Sequence, residues 1–236
     1  MRIVLAFIIF LFASKSYSQE LRIGVGYSNL YSKQFDRLIQ TYNFSRPFLQ
    51  KKQPLLDNGI HVDLSYLFKS EKNLKSGISV DYSLFNSTAE NPNLDLKLSF
   101  NMLELGYVLC YKNKDKFGDF YSELEVNAVL GLLNKKQNNE TYLIDNQAVR
   151  SLQVGASFNL NIGYLVELRD KLKISPFIGF HYSPYFSEGR SEIVINQTSD
   201  LIDEQEQYNS FYKFDVGLRV YFPNKKAQDL STNEAR

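Results

Sequence analysis

The sequence predicts an all-β fold: an eight-stranded antiparallel up-and-down transmembrane β-barrel. Three observations predict it. The first lies between Leu152 and Val166. Leu152, Val154, Ala156, Phe158, Leu160, Ile162, Tyr164 and Val166 alternate with Gln153, Gly155, Ser157, Asn159, Asn161, Gly163 and Leu165. A period of two over such a length is a strand with two different faces. Strands in soluble proteins run to about 5–6 residues; a longer one with a continuous greasy face suits a tilted bilayer crossing. The second observation is that this alternation recurs in eight segments. The third is that the connections between them alternate long and short, as in barrels with short turns at one end and long loops at the other.

The first strand runs from about Glu20 to Asn29, with Leu21, Ile23, Val25 and Tyr27 opposing Arg22, Gly24, Gly26 and Ser28. The second, about Gly59 to Lys69, sets Ile60, Val62, Leu64, Tyr66 and Phe68 against His61, Asp63, Ser65 and Leu67. The third, about Lys75 to Phe85, pairs an apolar Ile78, Val80, Tyr82 and Leu84 face with Ser79, Asp81 and Ser83. In the fourth, about Leu96 to Tyr111, Leu98, Phe100 and Met102 share one parity and Leu103, Leu105, Tyr107 and Leu109 the other. A β-bulge near Asn101 to Leu103 would produce that change of phase. The fifth, about Phe120 to Leu133, opposes Leu124, Val126, Ala128 and Leu130 to Glu123, Glu125 and Asn127. After the sixth come a seventh, about Lys173 to Phe186, and an eighth, about Ser210 to Phe222.

The chain has 236 residues, a net charge of +1, 16 Tyr, 18 Phe and no Trp. Nothing in that balance argues for nucleic acid as a partner. The single cysteine, Cys110, rules out an internal disulfide and a cysteine-cluster metal site. Residues 1–18 read as a removable signal peptide: Arg2 is the positive end, Ile3 to Ala13 the apolar stretch, and Ser16 and Ser18 precede a cut before Gln19. No cysteine follows the cut to carry a lipid anchor. Residues 19–222 then form the barrel, and 223–236 a polar periplasmic tail.

Period two does not by itself say which face is outside. A soluble, ligand-binding barrel would turn the apolar face inward. Against that alternative, the polar faces are rich in Gly, Ser and Asn and poor in Lys, which suits a crowded interior. Tyr27, Tyr66, Tyr107, Tyr182 and Tyr212 lie on the apolar faces near strand ends, as interfacial girdles do. The export signal and loop asymmetry also favour a membrane barrel, located in the outer membrane and contacting its lipid.

The final strand, Phe211-Tyr-Lys-Phe-Asp-Val-Gly-Leu-Arg-Val-Tyr-Phe222, with the export signal and the eight strands, resembles the outer-membrane β-barrel family of Bacteroidota known as PorT-like barrels. The resemblance is one of pattern over about Leu21 to Phe222. It implies an envelope protein with possible envelope partners. The same strand resembles the C-terminal signal read by the barrel-assembly machinery, although here fourteen residues follow Phe222.

An inward polar face carries Arg22, His61, Asp63, Asp81, Glu104, Glu123, Glu125, Lys213, Asp215 and Arg219. Buried charges must pair, and Arg219 with Asp215, or Arg22 with Glu123 and Glu125, are the expected pairs. The bland role for this network is a plug filling the lumen; the alternative is a site for a small cation or polar ligand. An enzymatic alternative rests on His181 and Ser183, placed by period two on one face near the external rim, with Glu188 or Glu192 to orient the imidazole. That spacing is similar to the His-x-Ser pair of outer-membrane lipid A deacylases, with Pro184 a departure from the pattern. Two histidines on distant strands argue against a transition-metal site, and no cofactor is expected. The long Leu30 to Asn58 connection carries Tyr31, Phe35, Tyr42, Phe44 and Phe48, with Lys33, Arg37, Arg46, Lys51 and Lys52 as candidates for the phosphates of surface lipid. The reading placed first is a non-enzymatic outer-membrane barrel with a plugged lumen, acting in surface binding or in envelope assembly or secretion. A lipid A hydrolase and a soluble ligand-binding barrel stand as alternatives.

Overall fold

Eight segments of alternating polarity become eight strands in the computed structural model, which describes residues 20–44, 47, 50–69, 73–89, 95–115, 118–138, 149–168, 172–188 and 210–223. They are β1 (Glu20–Tyr31), β2 (Asn58–Lys69), β3 (Leu74–Ala89), β4 (Asp95–Asp115), β5 (Gly118–Asn138), β6 (Val149–Glu167), β7 (Lys173–Glu188) and β8 (Phe211–Pro223), with one helix, α1 (Lys33–Phe44), between β1 and β2. Each strand pairs antiparallel with the next, and β8 returns to β1 to close the barrel in the order β1-β2-β3-β4-β5-β6-β7-β8. The strands outrun the expected bounds: β4 and β5 each reach 21 residues and β6 reaches 19. The expected signal segment 1–18, Glu192, Arg46, Phe48 and the tail after Pro223 lie outside the described residues.

The two faces settle the orientation. Val25, Leu124 and Val216 point outward and are 57%, 60% and 58% exposed, whereas Arg22, Glu104 and Glu123 point inward and are fully buried. A soluble ligand-binding barrel needs the reverse. Aromatic side chains mark both rims of the apolar belt. Tyr31, Tyr182 and Tyr212 gather at the long-connection end, the last two stacked with ring centroids 5.1 Å apart. At the short-turn end, Phe120 faces Tyr164 across the β5–β6 ladder, and Tyr107 and Phe222 are exposed. Tyr66 departs from the expected girdle: it is buried, its ring packed edge-on to Phe68 at 5.2 Å.

The bulge expected in β4 is absent. Its register against β3 and β5 runs without a break from one end to the other. Leu98, Phe100 and Met102 face inward on the same parity as Glu104. The apparent phase change is a change in what the lumen contains: its long-connection end is apolar and its middle is charged. Phe85, Leu98, Phe100, Met102, Leu133 and Phe211 form that apolar layer with Phe35 and Ile39 of α1. The observed irregularity is in β7. Ala156 pairs with Tyr185 and Phe158 with Tyr182, so Ser183 and Pro184 together oppose Ser157. A bulge there accommodates a proline that has no N–H to give a ladder.

The helix explains the aromatic content of the long connection. Ser32 caps it: its carbonyl accepts the Asp36 N–H at 3.0 Å, and its hydroxyl accepts the Phe35 N–H at 3.4 Å. Asp36 in the first turn complements the helix dipole. Phe35 meets the Phe100 ring edge-on at 5.0 Å. The return to β2 is pinned by Asn43, whose side chain exchanges two 2.8 Å hydrogen bonds with the Gln53 backbone, and by Gln53, which donates to Ser87 Oγ at 2.5 Å. The segment is thus a folded cap seated on the end of the lumen. Phe35→Ala should lower the unfolding free energy of the detergent-solubilised barrel by about 3 kcal/mol and speed proteolysis between β1 and β2; urea titration and a timed digest measure the two effects.

Candidate functional site

Below the apolar layer, the lumen holds two linked groups of charges. In the group nearer the short turns, Arg219 donates from Nε to Asp63 Oδ1 at 2.9 Å and from Nη1 to Glu123 Oε2 at 2.6 Å. Arg22 pairs with the other oxygen of Glu123. One carboxylate therefore bridges two guanidinium groups. Both cations also have aromatic support: Arg219 lies 4.1 Å from the Phe177 ring centroid and Arg22 lies 5.6 Å from that of Tyr221. Gly24 makes the Arg219–Asp63 bridge possible. It sits on β1 between the strands that carry the pair, and a Cβ there would collide with the Asp63 carboxylate and with Arg219 Cγ.

The second group lies nearer the cap. Lys213 Nζ donates to Glu104 Oε2 at 2.5 Å and to Ser83 Oγ at 3.2 Å, and stands 3.5 Å from Asp215. His181 places Nε2 2.7 Å from Asp215 Oδ2 and Nδ1 3.4 Å from Glu104 Oε2. Ser28 donates to Asp215, and Ser157 donates to Glu104 at 2.6 Å. Between the groups, Asn161 and Asn159 donate to Glu125 at 3.1 and 3.4 Å. Glu20 closes the short-turn end outside this network, accepting from Lys75 at 2.5 Å and Lys112 at 2.6 Å.

Several expectations from the sequence change. Arg22 meets Glu123 but not Glu125, which accepts from Ser79, Asn159 and Asn161 instead, and Arg219 does not meet Asp215. The two are four residues apart on one strand, about 13 Å along its axis, so Arg219 finds partners on β2 and β5 instead. His181 and Ser183 share a face, as period two requires, but that face is the lumen. Both are buried beneath the cap. Among the described side chains, the carboxylates beside His181 belong to Asp215 and Glu104; the Glu188 backbone ends β7 and its side chain lies outside the described residues, as does Glu192. Ser183 donates its hydroxyl to the Ala156 carbonyl at 2.6 Å, at the β7 bulge. The two histidines are not distant: the His61 and His181 rings meet edge to face with centroids 6.4 Å apart. Ser28, Ser157, Asn159 and Asn161 are hydrogen-bond partners of these charges, and their parity in the sequence already sets them on the same faces.

No protein-family model and no curated protein matches the chain. Among solved structures it is similar to Neisserial surface protein A, at 12% identity over 88% of this chain and all of that one, with a TM-score of 0.45. It is also similar to Ail, the attachment invasion locus protein of Yersinia pestis, at 10% identity over 88% and 99% of the two chains, with a TM-score of 0.46. A third is the outer membrane protein OprG of Pseudomonas aeruginosa, at 11% identity over 88% and 97%, with a TM-score of 0.39.

Because Glu123 is the shared anion of two buried guanidiniums, Glu123→Gln should cost about 3–5 kcal/mol of folding free energy. The shift in urea midpoint of the refolded full chain, followed by tryptophan-free tyrosine fluorescence or by gel mobility without heating, measures it.

Proposed function

We propose that this chain is an outer-membrane β-barrel whose lumen is a structural plug and whose role is exercised without catalysis at its external face, in surface binding or in envelope assembly or secretion. The inverted polarity of the barrel carries this reading: a belt of exposed aliphatic and aromatic side chains outside, and paired charges with two apolar layers inside. Such a surface is stable in lipid and unstable in water. The resemblance to PorT-like barrels and the export signal at residues 1–18 agree with that address. Exposed Phe222, near the end of the strand that closes the barrel, supports β8 as the element offered to the barrel-assembly machinery.

At the external face, α1 and the segment after it leave Phe44, Lys33, Lys51 and Lys52 exposed beside the cap. An aromatic side chain flanked by cations suits the phosphates and acyl chains of surface lipid, or an acidic envelope partner. The lipid A hydrolase reading draws on the Asp215–His181 contact, but Ser183 is buried and its hydroxyl is committed to a backbone carbonyl. A nucleophile needs to reach an acyl carbonyl in the outer leaflet.

The protein should sediment with membranes after an alkaline wash and dissolve only with detergent; a folded, detergent-free soluble form would overturn the reading. Val216→Arg, at a fully lipid-facing position, should lower stability by about 2–4 kcal/mol in refolding titrations into lipid vesicles. Incubation with lipid A should release no acyl chain, with or without Ser183→Ala.

A further inference from the structure

We propose that His61, Asp63 and Asp81 form a binding site for a divalent transition-metal ion inside the barrel. The three residues come from β2 and β3. His61 Nε2 lies 3.3 Å from Asp63 Oδ2 and 3.9 Å from Asp81 Oδ1, and one ligand atom from each residue lies within 4.8 Å of the others. Donor atoms around a tetrahedral zinc-sized ion are about 3.3 Å apart. A small inward movement of the Asp81 carboxylate gives that spacing.

Two observations point to a cation beyond the clustering itself. Asp81 is only 2% exposed, and its Oδ2 has no hydrogen-bond partner among the described residues. The register makes its position worse, because Asp81 stands directly opposite Asp63 on β2 and directly opposite Glu104 on β4. Like charges so placed repel, and an unpaired buried carboxylate is costly. The neighbouring cations are already engaged. Arg219 is held by Asp63 and Glu123, Arg22 by Glu123, and Lys213 by Glu104. The middle of the lumen buries six carboxylates against three Arg or Lys side chains. Asp81 and Glu125 are left without a cation among the described residues, and whereas Glu125 accepts from Ser79, Asn159 and Asn161, Asp81 Oδ2 has no donor.

His61 is oriented for this role. Its Nδ1 faces Ser83 Oγ at 3.5 Å and Asp215 Oδ2 at 3.7 Å. A proton on Nδ1 directed at those oxygens leaves the Nε2 lone pair facing Asp63 and Asp81, as in carboxylate–histidine–metal arrangements. Imidazole with carboxylates suits Zn2+ or its first-row neighbours better than Ca2+ or Mg2+. The site lies beneath the α1 cap, so the ion would enter as the barrel folds.

The test is to unfold the full chain in urea and refold it into detergent with a chelator, with Zn2+ or with Co2+, then remove free ion by gel filtration and measure bound metal. The expected result is stoichiometric metal, a visible Co2+ spectrum of a low-coordinate nitrogen–oxygen site, and a higher urea midpoint for the metal-loaded barrel. Asp81→Asn should abolish retention; without metal it should be more stable than the unsubstituted chain, because it removes the unpaired charge. Glu125→Gln, which alters a lumen acid outside the three ligands, should retain the ion. A folded barrel that holds neither Zn2+ nor Co2+ would overturn the proposal, as would metal retained equally by Asp81→Asn. His61→Gln, which removes the nitrogen ligand, should also lose the ion; if that variant fails to fold, the Asp81→Asn comparison decides alone.

Discussion

The ladder between β1 and β8 is the constraint on which the rest of this molecule depends. Once Glu20 through Tyr31 is paired with β8, no strand edge is left open. A closed ring satisfies its backbone polar groups internally, which frees its outer surface to be apolar. Closure also fixes the interior. Eight strands enclose a space just wide enough for side chains, so whatever faces inward must fit and must satisfy its own hydrogen bonds and charge.

The charged interior meets that demand by pairing across the lumen. Arg219 and Lys213 make their shortest contacts with β2, β4 and β5 and not with their own strand. Glu123 joins Arg22 and Arg219, and Glu104 joins Lys213 and Ser157, so β1, β4, β5, β6 and β8 are tied by side chains as well as by ladders. Asp81 and Glu125 have no matching cation among the described residues; Glu125 is met by Ser79, Asn159 and Asn161, whereas Asp81 Oδ2 has no donor. Gly24 shows how tightly the pairs are fitted, since the Arg219–Asp63 bridge passes over a position where only a hydrogen atom can stand.

Apolar layers bracket the charges. At the short-turn end, Leu67, Val108, Cys110, Tyr121, Leu165 and Phe177 pack together; at the other end α1 lays Phe35 and Ile39 onto the inward faces of β3, β4 and β5. Low-dielectric layers above and below strengthen every ion pair between them and raise the cost of breaking one. The cap, the charges and the ring therefore support one another.

Local pattern determined the strands. The parity of each segment, the alternation of long and short connections, and the assignment of Arg22, His61, Asp63, Glu123, Glu125, Asp215 and Arg219 to one face all follow from a period of two, which is a property of the backbone. The same parity placed His181 and Ser183 together. Tertiary structure decided everything that depends on what lies across the lumen: that Arg219 meets Asp63 and Glu123, that His181 meets Asp215 and His61, and that Leu98, Phe100 and Met102 face a helix rather than lipid. A strand sequence records which way a side chain points; it does not record what it points at, because partners in a barrel are set by closure and by the fill of the shared interior. The β4 phase change is the clearest case: the residues are legible, but only the presence of α1 over the lumen explains why an inward face should turn apolar.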